Sequence, residues 1–105
     1  MKFGFVFTNY NNSQYTKDVI HSLSINKNFD DCFIVIVDNN SEADDLDNLK
    51  KINTNYPSVK IIFNVENCGY FKGLNIGIKY LRDKNPDIDF ITIGNNDLYF
   101  SLDYL

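Results

Sequence analysis

The sequence predicts an α/β domain built on a parallel sheet of alternating strand–helix units. Three observations carry this. Short apolar runs alternate with stretches of helical spacing. The run "CFIVIV" is continuously apolar and rich in β-branched residues, as a strand covered on both faces must be. The order is strand–helix three times and then a strand, and alternation at this period implies parallel strands joined by right-handed crossovers.

Residues 3–8, "FGFVFT", read as the first strand and "NYNNSQ" as the loop after it. "YTKDVIHSLSI" then spaces Tyr15, Val19, Ile20 and Leu23 as one face of a helix, with Ser13 or Thr16 placed to cap it. "CFIVIV", residues 32–37, is the second strand. In "DNNSEADD", Ser41 stands three residues before Asp44, the pattern of a capped helix with an acidic first turn. Leu46, Leu49 and Ile52 mark the inner face of that second helix. "NTNYPS" ends it, since Pro57 disfavours helix at Tyr56. "VKIIF", residues 59–63, is the third strand, and a third helix runs from about Phe71 to Lys84. "NPD" breaks that helix, and "IDFITIG", residues 88–94, is the fourth strand. With no repeat, low-complexity tract or linker, residues 1–105 read as a single domain with one core.

Composition narrows the function. Hydrophobic residues make up 44% and charged residues 23%, as in a globular chain. A net charge of -4 argues against a nucleic-acid partner or an anionic membrane surface. No apolar run approaches the roughly 20 residues of a membrane span. The opening "MKFGFVFTNY" is too short in apolar residues for a signal peptide, so a cytoplasmic location is expected. Cys32 and Cys68 lack metal-binding spacing and histidine partners, and read as reduced structural thiols. His21, the lone histidine, reads as a surface or satisfied core residue.

Open parallel sheets bind ligands beyond the carboxyl ends of their strands. That rule selects "TNYNN", "DNNS", "NVENCGYFKG" and "NND". Loops at the opposite end, such as "RDKNPD", are polar too, so spacing has to decide. In "VDNNS", Asp38 follows a buried strand. It is either a turn residue or a carboxylate that accepts hydrogen bonds from a base or ribose. In "ENCGYFKGLNIGI", Gly69, Gly73 and Gly77 recur every four residues. At Gly77 the expected role is close packing of helix on sheet. Gly69 and Gly73 stand at the helix entrance, where free N–H groups suit a diphosphate, and Lys72 adds a positive charge beside them. "GNND" offers Asp97 as a hard oxygen ligand beside the carbonyl oxygens of Asn95 and Asn96. It is either a strand-ending turn or a site for Mg²⁺ or Mn²⁺ that shares the cation with substrate phosphates. Tyr10, Tyr70, Phe71 and Tyr99 flank these loops as aromatic core or rim, with Tyr10 placed to stack on a base.

Together "TNYNN", "VDNNS", "ENCGYFKGLNIGI" and "IGNND", in this order and spacing, resemble the front half of family 2 glycosyltransferases, in their rhamnosyltransferase-like branch. The resemblance runs from about Phe3 to Phe100, and "ENxGYxxGxNxG" is its most specific piece. It implies the N-terminal, donor-binding portion of a GT-A, Rossmann-like nucleotide-diphospho-sugar transferase fold. By position, Thr8 and Tyr10 would line the nucleotide pocket and Asp38 would contact the base. Asn67, Gly69, Lys72 and Gly73 would border the diphosphate and ribose. "NND" would stand where the family has its Asp-x-Asp metal motif, with Asn95 and Asn96 at the donor and Asp97 on Mg²⁺ or Mn²⁺. Asn95 departs from the family's first acidic position, which removes one negative charge from the metal site.

The resemblance implies transfer of a sugar from a UDP- or dTDP-linked donor to the hydroxyl of a saccharide or lipid-linked acceptor, in polysaccharide biosynthesis. The mode would be inverting and metal-assisted. It places the general base after Leu105, so the chain is expected to be a fragment of a longer GT-A catalytic domain, inactive alone. It is expected to sit at the inner face of the membrane through other parts or partners. The fourth strand is expected to keep an unpartnered edge and to drive self-association. A noncatalytic nucleotide-sugar-binding module of the same fold is the alternative. A receiver-type domain fits poorly, because its acidic pair and acceptor aspartate would fall where "TNYNN" and "NVENCG" stand.

Overall fold

The computed structural model describes residues 1–98 and residue 100; Tyr99, assigned to the rim of the last loop, lies outside the described residues. The elements are β1 (Phe3–Asn9), α1 (Ser13–Ser24), a 3-10 turn (Phe29–Asp31), β2 (Cys32–Asp38), α2 (Ala43–Asn55), β3 (Lys60–Phe63), α3 (Tyr70–Lys84) and β4 (Phe90–Asn95). The four strands form one sheet in the order β3-β2-β1-β4, and every pairing is parallel. The expected α/β architecture is therefore the observed one.

Side-chain alternation along the strands divides the core into two layers. Phe5 and Phe7 of β1, with Ile34 and Ile36 of β2 and Ile61 of β3, pack on Val19, Ile20 and Leu23 of α1 and Leu49 and Ile52 of α2. Phe100 joins this layer, with ring centroids 5.5 Å from Phe5 and 6.2 Å from Phe7. The opposite faces of β1 and β2, Val6, Val35 and Val37, pack on Leu74 and Leu81 of α3. Each such side chain, fully buried, contributes about 1.5–3 kcal/mol. Gly77 has the expected packing role. A Cβ there would lie 2.4 Å from Val6 Cγ1 and 3.0 Å from Val37 Cγ2, so α3 presses directly on the sheet.

Register brings the strand ends level. Asn9 pairs with Asp38, Thr8 with Asn95, and Asp38 with Phe63. The loops selected from the sequence therefore emerge side by side. Among the described residues β4 has a strand neighbour on one side only, and its Phe90 and Ile93 remain 57% and 48% exposed.

Several local expectations differ. The first residues of "NTNYPS" continue α2 to Asn55, because Pro57 and not Asn53 stops it. Asn53 then closes the exit turn by donating to the carbonyls of Val59 at 2.7 Å and Tyr56 at 3.3 Å. β4 starts at Phe90, two residues later than expected, and runs through Asn95. Neither expected cap forms. The N-caps are Asn12 for α1 and Glu42 for α2, and neither makes a side-chain cap bond. The hydroxyls of Thr16 and Ser41 are engaged in a network at the strand ends.

No helix among the described residues is long and apolar enough to cross a membrane. Both cysteines are free and half-buried. Burial, with the charge of Asp31, pushes the Cys32 thiol up to about 11, which suits an unreactive structural thiol. His21 is exposed, as expected.

Candidate functional site

A buried polar network joins the loops after β1, β2 and β4. Asp38 is 0% exposed. Its Oδ1 accepts from Ser41 Oγ at 2.6 Å and Asn9 Nδ2 at 2.9 Å, and its Oδ2 accepts from the Ser41 backbone N–H at 3.0 Å. A buried carboxylate requires such partners. Asp38 thus shapes the turn that carries Asn40 at φ 68°. Of its two readings, the turn residue is the one displayed.

Asn9 is the hub. Its Nδ2 donates to Asp38 Oδ1 and, at 2.8 Å, to Asp45 Oδ2. Its Oδ1 accepts from Thr16 Oγ1 at 2.7 Å and Asn96 Nδ2 at 3.3 Å. Asp45 Oδ1 also accepts from the Ser13 backbone N–H at 2.9 Å. Burial opposes ionisation of Asp45, but hydrogen bonds from Ser13, Asn9 and Ser41 outweigh it and hold the carboxyl below its usual range. The loops are tied again where Asn11 N donates to Ser41 Oγ at 2.8 Å and Glu42 N donates to Asn11 Oδ1 at 2.8 Å.

Asn96 belongs to this network. It is 3% exposed. Its amide and that of Asn12 exchange reciprocal hydrogen bonds at 3.0 Å each, and its Nδ2 also donates to Thr16 Oγ1 at 2.9 Å. Asn95 and Asp97 on either side are exposed. They line, with Thr8, Tyr10, Asn12, Tyr15 and Asn96 itself, an open cleft of about 310 Å³. A larger hollow of about 440 Å³, lined by Arg82, Asn85, Pro86, Ile88, Asp89 and Ile91, lies at the start of β4. It is at the amino ends of the strands, where open sheets do not place ligands.

The donors of the 310 Å³ cleft are hard oxygens: the Asp97 carboxylate and the Asn95 amide. Among the described residues no group of three or more His, Cys, Asp or Glu side chains gathers to hold a metal ion. One carboxylate and one amide oxygen are donors of the kind Mg²⁺ and Mn²⁺ take, and a cation there would need further oxygens from a ligand or water.

The β3–α3 loop lies on the other side of Thr8 and supplies no residue to this cleft's lining. Gly69 has φ 84°, which favours glycine, and its N–H donates to Asn67 Oδ1 at 2.9 Å. α3 begins immediately after it, so its first N–H groups are without helical partners. Gly73 is buried against the ends of β1 and β2. A Cβ there would lie 3.1 Å from Asn39 Nδ2 and 3.2 Å from Thr8 Cγ2. Asn39 links loops in turn, donating to the Gly69 carbonyl at 3.3 Å and accepting from Asn64 Nδ2 at 3.1 Å. Lys72 does not line the cleft with Thr8 and Asp97. It lines a separate hollow of about 140 Å³ with Asn64, Val65, Glu66, Cys68 and Ile76.

The structure thus gathers Thr8, Tyr10, Asn95, Asn96 and Asp97 on one cleft, with Asn96 nearly buried in it and Gly73 behind Thr8. It buries Asp38 and sets Lys72 apart. Asn9, Asn12, Thr16, Ser41 and Asp45 were not singled out as a network from sequence. The available signal was a polar residue as the last member of each of two adjacent strands.

The family model described as Glycosyl transferase family 2 matches residues 5–105. No curated protein matches the chain in sequence. Among solved structures, S. aureus TarS 1-349 in complex with UDP-GlcNAc superposes with a TM-score of 0.78 at 23% identity, over 97% of this chain and 28% of that one. The same protein in complex with UDP gives 0.78 at 23% identity, over 97% and 29%. The mannosyltransferase PcManGT from Pyrobaculum calidifontis, in complex with GDP-Man and Mn²⁺, gives 0.74 at 13% identity, over 94% and 28%. The chain spans less than a third of the length of each of these structures.

Proposed function

The chain belongs to glycosyl transferase family 2, and from that premise we propose that it forms the donor side of a transferase moving a sugar from a nucleoside diphosphate to an acceptor hydroxyl. Its parallel sheet is that of the GT-A fold. The observation that carries the proposal is the cleft at the level strand ends, where Thr8, Tyr10, Asn95 and Asp97 meet. TarS holds UDP and UDP-GlcNAc, and PcManGT holds GDP-Man with Mn²⁺. These complexes support a nucleotide-sugar donor for this chain, UDP- or dTDP-linked in our reading.

In this account Tyr10 stacks on the base, and Thr8 and the α3 entrance at Gly69 and Gly73 border the ribose and diphosphate. Asp97, with Asn95, would hold Mg²⁺ or Mn²⁺. When bound, that cation supplies charge stabilisation to the departing diphosphate. The acceptor oxygen forms its bond to the anomeric carbon as the bond to the diphosphate breaks, inverting the centre. The acceptor's proton passes to a carboxylate base, which we place in sequence beyond residues 1–105. The cleft's own exposed carboxylate, Asp97, is committed to the cation. We read residues 1–105 as one donor-binding unit of a longer catalytic domain.

Calorimetric titration with UDP, dTDP, GDP and AMP tests the proposal. A nucleoside diphosphate should bind and AMP should not. Equal indifference to all four would contradict it.

A further inference from the structure

The middle residue of "NND" is the one that faces inward. Asn96 is 3% exposed, and both ends of its amide are spent on the protein. Its Nδ2 donates to Asn12 Oδ1 at 3.0 Å and Thr16 Oγ1 at 2.9 Å, while its Oδ1 accepts from Asn12 Nδ2 at 3.0 Å. With its N–H groups engaged by Asn12 and Thr16, Asn96 lines the cleft as a nearly buried, anchored side chain. It fixes where the turn after β4 sits. Asn12 is the N-cap of α1 and Thr16 lies in its first turn, so the pair ties the end of an edge strand to the start of a packed helix. Asn95 and Asp97, one residue to either side, are exposed on the cleft as a consequence.

Resting on the donor-site reading above, we propose that Asn96 is a positioning residue, with Asn12 as its partner. The Asn12–Asn96 amide pair holds the 95–97 turn so that the oxygens of Asn95 and Asp97 converge on the place where a diphosphate-bound divalent cation is held. The need for it follows from the donor set. With a single carboxylate in the turn, affinity leans on preorganised geometry more than on charge. The same amide reaches Asn9 Oδ1 at 3.3 Å. Through Asn9 it connects to Asp38, so the turn is referenced to the centre of the sheet.

The test is the Mn²⁺-dependent gain in UDP affinity of the full chain, measured calorimetrically with and without Mn²⁺. The proteins are wild type, Asn96→Ala, Asn12→Ser and the double variant. Partners behind a metal ligand are worth about 10–100-fold in metal affinity. Each single variant should therefore lose at least about tenfold of the Mn²⁺-dependent gain. The double variant should lose no more than the worse single one, because both changes break one pair. A merely structural residue would lower affinity in the same proportion with and without Mn²⁺, and that result overturns the inference. So does an undiminished gain in Asn96→Ala, which leaves the donor-site reading standing. If Asn96→Ala does not fold, Asn12→Ser at its half-buried position carries the test, and failure of both to fold makes the pair structural and overturns the inference. A wild-type chain that binds UDP but ignores Mn²⁺ removes the cation from the donor-site reading and this inference with it.

Discussion

Asn9 ends β1 and Asp38 ends β2; the two are register partners, and the Asn9 amide donates to the Asp38 carboxylate at 2.9 Å. This one bond bridges adjacent strands at the edge where the site is built. It also places a carboxylate where it accepts from Asn9 at the end of β1 and from Ser41 in the loop after β2. A buried, hydrogen-bonded polar layer thus lies beside the cleft and is joined to it through Asn96.

Asp38→Ala should cost stability as well as affinity. It leaves the Asn9 amide and the Ser41 hydroxyl short of a buried acceptor, and each such loss costs roughly 1–3 kcal/mol. Urea denaturation should show a lowered midpoint, and UDP affinity should fall because residues 39–41 are no longer held. A folded Asp38→Ala protein with wild-type stability would show that the bond contributes nothing net.

Two glycines of α3 should respond differently to alanine. Gly77→Ala forces a methyl into Val6 and Val37 at 2.4 and 3.0 Å, an overpacking of about 1–3 kcal/mol. Gly73→Ala meets Asn39 and Thr8 at 3.1 and 3.2 Å, which those side chains can absorb by small shifts. Thermal melts should therefore fall further for Gly77→Ala. Nucleotide affinity should fall more for Gly73→Ala, because Thr8 lines the cleft.

Acid sensitivity should run partly through Asp45. Its carboxyl titrates below the ordinary value in the folded chain, because bonds from Ser13, Asn9 and Ser41 outweigh burial. A depressed carboxylate contributes stability above its unfolded pKa, about 4, and loses it as pH falls through the folded value. Asp45→Asn should therefore flatten the decline of stability below about pH 4. Denaturation midpoints across that range measure it, and an unchanged slope would remove Asp45 from the account.

The outer side of β4 should recruit a second copy. Phe90 and Ile93 are 57% and 48% exposed on a strand with one neighbour among the described residues. Light scattering should find self-association that Ile93→Lys reduces, since a charge on an edge strand opposes pairing. A monomeric wild-type chain at high concentration would contradict this.

The strand–helix order was legible because periodicity records burial. "CFIVIV" had to be covered on both faces, and Val35 and Val37 do face α3 while Ile34 and Ile36 face α1 and α2. Helix starts were less legible. A serine three residues before an acid reads as a cap, yet Ser41 serves Asp38, since a buried carboxylate outbids a solvated helix end. "GNND" pointed to oxygen chemistry at the right strand end. Which of its three side chains turns inward depended on the loop after β1, and no spacing within "NND" encodes that. Lys72 is set apart because the turn of α3 that carries it lines the hollow with Asn64 and Cys68.

The central claim is that Asp97 and Asn95 face a donor's diphosphate through a divalent cation. UDP titrations with and without Mn²⁺, on wild type, Asp97→Asn and Asn95→Asp, test it most directly. Asp97→Asn should abolish the Mn²⁺-dependent gain in affinity, and Asn95→Asp should keep or enlarge it by adding a second carboxylate. UDP affinity that is the same in all three proteins, with or without Mn²⁺, would reduce "NND" to a strand-ending turn and contradict the account.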